Sequence, residues 1–257
     1  MPAPLSTRAH QVDQPAPDGH EDGGGEEQER QPDAAGKVWF PAAFSDSILR
    51  FIGNSGLLPH TGVIIDPFAG IGRIHQLASA SLRTVGVEIE PEWAACHRST
   101  IVGNALRLPF GPESFDGAVT SPVYGNRMSD HHSALDGSQR RSYTHDLQRT
   151  TGDLGRQLHP DNAGQLYAWQ PKYWRFHVRA WAEVMRVLRP GVPFVLNVSD
   201  FIRNGQRVPV TKIHIQACTK LGFEFIRAYP VETPRMRKGE NHQARIDHEY
   251  VLHFRRP

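Results

Sequence analysis

The chain has 257 residues and a mass of 28.8 kDa, which suits one medium domain with extra segments. No apolar run reaches the length of a membrane span, the N-terminus has no signal-peptide core, and two cysteines exclude a disulfide framework or a four-cysteine zinc site. The formal charge of +2 hides an asymmetry: residues 1–36 hold eight acids and two bases, leaving 27 of the 29 bases against 19 of the 27 acids, a surplus of eight. A basic body with an acidic leader permits nucleic-acid binding but equally suits small-molecule enzymes. A reduced, cytoplasmic setting follows from the cysteine usage.

Residues 1–36 are rich in Pro, Gly, Gln and acid, with scarcely a large apolar side chain. Such a segment cannot offset its chain entropy by burial and is expected to be disordered. The globular domain is expected over 37–257. Ser47–Ile52 reads as a short helix. Gly62–Asp66 is an apolar run ending in an acid, the pattern of a buried parallel strand. A glycine-rich turn and a helix over 72–80 follow. Thr84–Glu88 repeats the strand pattern, a helix is expected over 91–98, and Ile101-Val102 and Phe115–Thr120 read as the third and fourth strands.

Residues 125–175 break the rhythm and read as a polar, aromatic insertion. Trp174, Val178, Trp181, Met185 and Leu188 recur at helical spacing and predict one apolar face, closed by Arg189-Pro190-Gly191. Val192–Val198 is the fifth strand, 208–221 a helix, and 223–229 and 248–254 the last two strands. Alternating strands and helices predict an α/β fold, a single doubly wound, mostly parallel seven-stranded sheet.

The chemistry collects at the strand ends. Asp66-Pro-Phe-Ala-Gly70-Ile-Gly72 follows the first strand, and its two glycines allow a tight turn with close backbone approach to a ligand. A dinucleotide fingerprint requires glycine where His75 stands, and no Gly-Lys-Ser/Thr follows to make a phosphate loop. Glu88 ends the second strand, placed to accept from two ribose hydroxyls. Glu90 reads as a first-turn acid of the next helix. Gly103-Asn104-Ala105 follows the third strand, a suitable place for contacts to an adenine ring. The fourth strand ends in Ser121-Pro122-Val123-Tyr124.

These three motifs, in order over about 38–124 and joined by the Leu-Arg-Pro-Gly turn at 188–191, resemble the amino-methylating DNA methyltransferases. Those enzymes use S-adenosylmethionine to methylate cytosine N4 or adenine N6. The resemblance implies a Rossmann-like class I methyltransferase domain over 37–257. It implies S-adenosylmethionine as cofactor, with Asp66, Phe68, Gly70 and Gly72 at its methionine end, Glu88 on the ribose, and Asn104 and Ala105 by the adenine.

It also implies Ser121, Pro122 and Tyr124 as catalytic. The Ser121 hydroxyl and Pro122 carbonyl would accept from the target amine, and Tyr124 would stack on a base taken out of the duplex. Val123 replaces the family's second proline, which puts the rate in doubt. Serine at the first position points to cytosine N4 ahead of adenine N6. DNA is the expected partner, with no membrane and no metal. A base N-methyltransferase acting on tRNA or rRNA, and a catalytically impaired binding protein, stay open as alternatives. So does the setting, whether restriction-modification or regulation.

Methylation at cytosine C5 requires a cysteine nucleophile near this strand end, and Cys96 and Cys218 are expected instead in the core. His131-His132 reads as a solvated or substrate-facing pair. Between 125 and 175 seven bases are interleaved with five acids and with aromatics such as Tyr143, Tyr167, Trp169, Tyr173 and Trp174. They suit either phosphate contact and base stacking or packing of the loop on the sheet. Asn126, Arg127, Arg140 and Arg141 are the residues expected on substrate.

Overall fold

The structure is a computed structural model that describes residues 44–122, 154–168, 170–203, 206–233 and 246–257. Expectations placed on 1–36 therefore lie outside the described residues. So do Val123, Tyr124, Asn126, Arg127, His131, His132, Arg140 and Arg141.

Helix α1 (Asp46–Asn54) begins at Ser45, whose side chain accepts from the Ile48 backbone N–H, with Asp46 favourably in the first turn. Strands β1 (Gly62–Asp66), β2 (Leu82–Glu88), β3 (Thr100–Val102), β4 (Gly117–Thr120) and β5 (Pro193–Val198) pair in parallel, in the order β3-β2-β1-β4-β5. Strand β9 (His248–Arg255) adds antiparallel to β5, and β8 (Glu224–Glu232) pairs antiparallel with β9. The seven-stranded, mostly parallel sheet expected from the sequence is thus formed. A short hairpin, β6 (Phe201–Arg203) and β7 (Gln206–Val208), was not legible in the sequence. Asp200 anchors it by accepting from Arg207 and from the Thr211 backbone.

The strand period of two divides the core. Ile64, Val119, Val195 and Val251 face α1 and bury Ile48, Leu49 and Ile52. Ile65, Ala118, Phe194, Leu196, Leu252 and Phe254 face the other way, beneath α3 (Pro171–Val187) and α4 (Val210–Lys220). Helix α3 turns a different stripe inward from the one expected. Its buried residues are Tyr173, His177, Ala180, Trp181, Val184 and Val187, while Val178 is exposed. The cause is His177, a polar residue buried in an aromatic cluster, where Nδ1–H donates to the Tyr173 carbonyl at 2.9 Å. Trp181 donates to Nδ1 of the equally buried His214 at 3.1 Å.

Two helices are shorter than expected. The segment after Gly72 is a 3-10 turn, Arg73–Leu77, because His75 is fixed between the hydroxyls of Thr84 and Thr100 at 2.8 Å each. The helix from Pro91, α2, ends at Ala94, and Cys96 N–H and His97 N–H bond only three residues back. Cys96 is consequently exposed beyond the helix rather than in the core, whereas Cys218 is buried. Among the described residues no helix is long and apolar enough to cross a membrane.

Candidate active site

The parallel strands place Asp66, Glu88 and Thr120 at one carboxyl edge, where folds of this layout bind ligands. Asp66 is buried. Its Oδ1 accepts from the Phe68 N–H (2.9 Å) and from the Thr120 hydroxyl (2.7 Å), tying β1 to β4. Its Oδ2 is buried with no hydrogen-bond partner among the described residues. Burial pushes the carboxyl up to about 7, against the two hydrogen bonds, with Glu88 nearby adding to the rise.

The loop after β1 is fastened to β2. Ala69 N–H donates to the Val87 carbonyl at 3.0 Å, and Gly70 N–H donates to Glu88 Oε2 at 2.9 Å. Glu88 Oε1 accepts from the N–H groups of Ile89 (2.8 Å) and Glu90 (3.0 Å). Burial again dominates and raises this carboxyl to about 7, against those backbone bonds. With Oε1 taken by two backbone donors and Oε2 by one, Oε2 retains acceptor capacity on a side chain that lines the cavity. Gly70 takes φ 53° and spends its amide on Glu88. Gly72 has a structural duty. At φ 84° its missing Cβ would lie 2.8 Å from both His75 and His97, and it does not line the cavity.

Five of the residues singled out from the sequence meet around this cavity: Phe68, Glu88, Asn104, Ala105 and Ser121. Ile89, Trp93 and Phe176 complete its apolar walls. Phe68 is held by ring contacts to Phe176, His177 and Trp181. Ser121 is positioned from across the sheet. Asn197 on β5 donates from Nδ2 to the Ser121 hydroxyl (3.2 Å) and to Glu249 Oε2 on β9 (2.8 Å). Pro122 is buried next to it.

Sequence reasoning missed the wall that comes from the far end of the insertion. Asp161, Asn162 and Ala163 line the cavity too. They are held by Glu90, which is fully buried. Glu90 accepts from the His159 N–H and the Asn162 side-chain amide at 2.8 Å each, and it pairs with Arg156 at 2.8 Å. Glu90 is therefore an anchor for residues 156–162 and not a helix-dipole acid. Arg156, counted among candidate phosphate contacts, is instead engaged by Glu90 and Glu92. Tyr173, a candidate for stacking, is fully buried in the core. The only signal in sequence was a second acid two residues after Glu88. Among the described residues no three His, Cys, Asp or Glu side chains converge as metal ligands.

No protein-family model matches the chain, and no curated protein matches it. Solved structures do. The complex between the Trm112 methyltransferase activator of Haloferax volcanii and the putative methyltransferase aligns at 14% identity with a TM-score of 0.52, over 81% of this chain and 89% of that one. The [4+2]-cyclase SpnF aligns at 15% identity and 0.50, over 81% and 80%. The fold is that of the class I S-adenosylmethionine-dependent methyltransferases. One of these neighbours is a cyclase, so the fold alone does not specify a reaction.

Proposed function

We propose that this protein uses S-adenosylmethionine to methylate an exocyclic amine of a nucleobase in DNA, with cytosine N4 the favoured target. The observation that carries the reading is Ser121 lining the same cavity as Glu88 and Phe68, at the adjoining strand end. The donor set also fits the cofactor. Asp66 and Glu88 are two buried carboxylates with no cationic side chain against them among the described residues, so their field favours a positively charged ligand. The unsatisfied Asp66 Oδ2 suits an ammonium, the remaining acceptor of Glu88 Oε2 suits a ribose hydroxyl, and the apolar walls suit a purine ring.

When bound, S-adenosylmethionine supplies an electrophilic methyl carbon on a positively charged sulfur. The chain supplies orientation. An aromatic amine is a weak nucleophile because its lone pair is delocalised into the ring. The Ser121 hydroxyl and the Pro122 carbonyl accept its N–H bonds, which favours a pyramidal nitrogen and aims the lone pair. Asn197 donates to the Ser121 hydroxyl and so helps fix its position at the cavity. Tyr124, with Asn126, Arg127, Arg140 and Arg141, is proposed to stack on the extruded base and hold its phosphates.

The test is transfer of tritium from labelled cofactor to DNA, followed by nucleoside mass spectrometry. N4-methylcytosine is the expected product, and Ser121→Ala and Tyr124→Ala are each expected to abolish it. Gly70→Trp serves as a control that blocks the cofactor. Label entering RNA and not DNA would overturn the choice of substrate.

A further inference from the structure

We infer that Asp161, a residue of the insertion's far end, is the group that recognises the adenine amino group of the cofactor, with Asn104 acting as its holder. The inference rests on the cofactor reading above. The turn after β3 is where contacts to the adenine were expected, at Asn104 and Ala105. Its amide is already committed. Asn104 Oδ1 accepts from the Leu106 N–H at 2.9 Å, which turns its only acceptor back onto its own backbone. The NH2 end points the other way and donates to Asp161 Oδ2 at 2.8 Å. The NH2 end of an amide fixed in this sense presents hydrogens, as an adenine amino group does, so that end cannot pair with it.

Asp161 resolves the mismatch. It lines the same cavity as Asn104 and Ala105, and beyond the bond from Asn104 its carboxylate has no hydrogen bond among the described residues. A carboxylate is acceptor-only and makes the stronger, charge-assisted bond. Its place is built and not incidental. Its own N–H donates to His159 Nδ1 at 3.0 Å. The residues on either side are tied to buried Glu90, His159 through its backbone N–H and Asn162 through its side-chain amide. Asn162 Oδ1 then accepts from the Gly164 N–H and starts the 3-10 turn Ala163–Gln165. A carboxylate is thus delivered beside Asn104 from another part of the chain.

The experiment is calorimetric binding of two compounds that differ only at this group: S-adenosylhomocysteine, with an amino group, and its deaminated counterpart S-inosylhomocysteine, with a carbonyl. The wild-type protein is expected to prefer the amino compound by about ten-fold or more, the range of a hydrogen bond to a charged group. Asp161→Asn is expected to weaken S-adenosylhomocysteine by a similar factor while S-inosylhomocysteine holds or improves, because the new amide can donate to the carbonyl. Asp161→Ala should remove the preference without the gain. An unchanged preference in Asp161→Asn, or an equal loss for both compounds, overturns the assignment while leaving the cofactor reading intact. A wild-type protein that binds neither compound overturns both.

Discussion

The two sides of the cleft are built by different means. On the β1–β2 side, acceptors are held mainly by backbone N–H groups: Glu88 by Gly70, Ile89 and Glu90, and Asp66 by Phe68, with the Thr120 hydroxyl as the one side-chain donor to this pair among the described residues. On the β4–β5 side and under the insertion, groups are held by side chains: Ser121 by Asn197, Asn197 by Glu249, and Asn162 by Glu90. Backbone donors survive every substitution but proline, so the first side depends little on the identity of its neighbours. The second side depends on each member of its chain of contacts, and it is where single changes tune the site.

Glu90 is where the two modes join, and its removal should have the largest effect. Glu90→Ala leaves the His159 N–H and the Asn162 side-chain amide without their acceptor and takes from Arg156 one of its two carboxylate partners. A loss of about 2–4 kcal/mol is expected by urea unfolding, from buried donors left unpaired. Glu88→Ala comes next and acts on the other quantity. It should weaken S-adenosylmethionine about ten- to a hundred-fold, equivalent to about 1.5–3 kcal/mol for a hydroxyl bond to a charged group. Calorimetry checks it, and a loss under three-fold would mean that the ribose lies elsewhere.

Asn197→Ala should sharpen the contrast between the sides. With this bond to Ser121 removed, kcat on DNA should fall by up to about a hundred-fold, as for a small misplacement of a reacting group. KM for the cofactor should hold, because Asn197 does not line the cavity. Glu249→Gln keeps an acceptor for the Asn197 amide and should retain most activity. A parallel rise in KM would return Asn197 to a purely structural role. Gly72→Ala should cost about 1–3 kcal/mol of stability through its left-handed backbone and the close approach of His75 and His97, with cofactor affinity unchanged in the folded fraction.

The same division governs what the sequence revealed. Asp66, Gly70 and Glu88 were legible because their partners are backbone groups close to strand ends that hydrophobic patterning locates. The Glu88–Gly70 bond spans only 18 positions. Asn197 lies 76 positions from Ser121, and Asn162 lies 72 from Glu90. No periodicity links such pairs, and an insertion of polar residues hides the segment that carries Asp161. The inward face of α3 was misread for a related reason. Spacing rules count apolar residues, and this helix buries His177 and leaves Val178 outside.

The smallest effect separates the cleft from the core by pH. Burial lowers His177 to about 4 and His214 well below its usual value, and neither has a carboxylate partner among the described residues. A histidine with a depressed folded value favours the fold when neutral, so stability is full above the unfolded value of 6.5 and is lost as pH falls toward 4. Glu88 has the opposite sign. Its raised value means that the ligand-free fold binds more protons than the unfolded chain between 4.5 and about 7, so its contribution declines as pH rises through that window. In the wild-type protein the histidines mask this decline. Subtracting Glu88→Gln, which cannot titrate there, isolates it: the variant should gain on the wild type from about pH 5 to 7 and run parallel above. A cationic ligand requires the deprotonated carboxylates, so wild-type affinity for S-adenosylmethionine should rise from about pH 6 to 8 with proton release, and in Glu88→Gln only the Asp66 part of that rise should survive. A rise that persists undiminished in the variant would assign the coupled proton to Asp66 alone and remove Glu88 from the charged wall of the site.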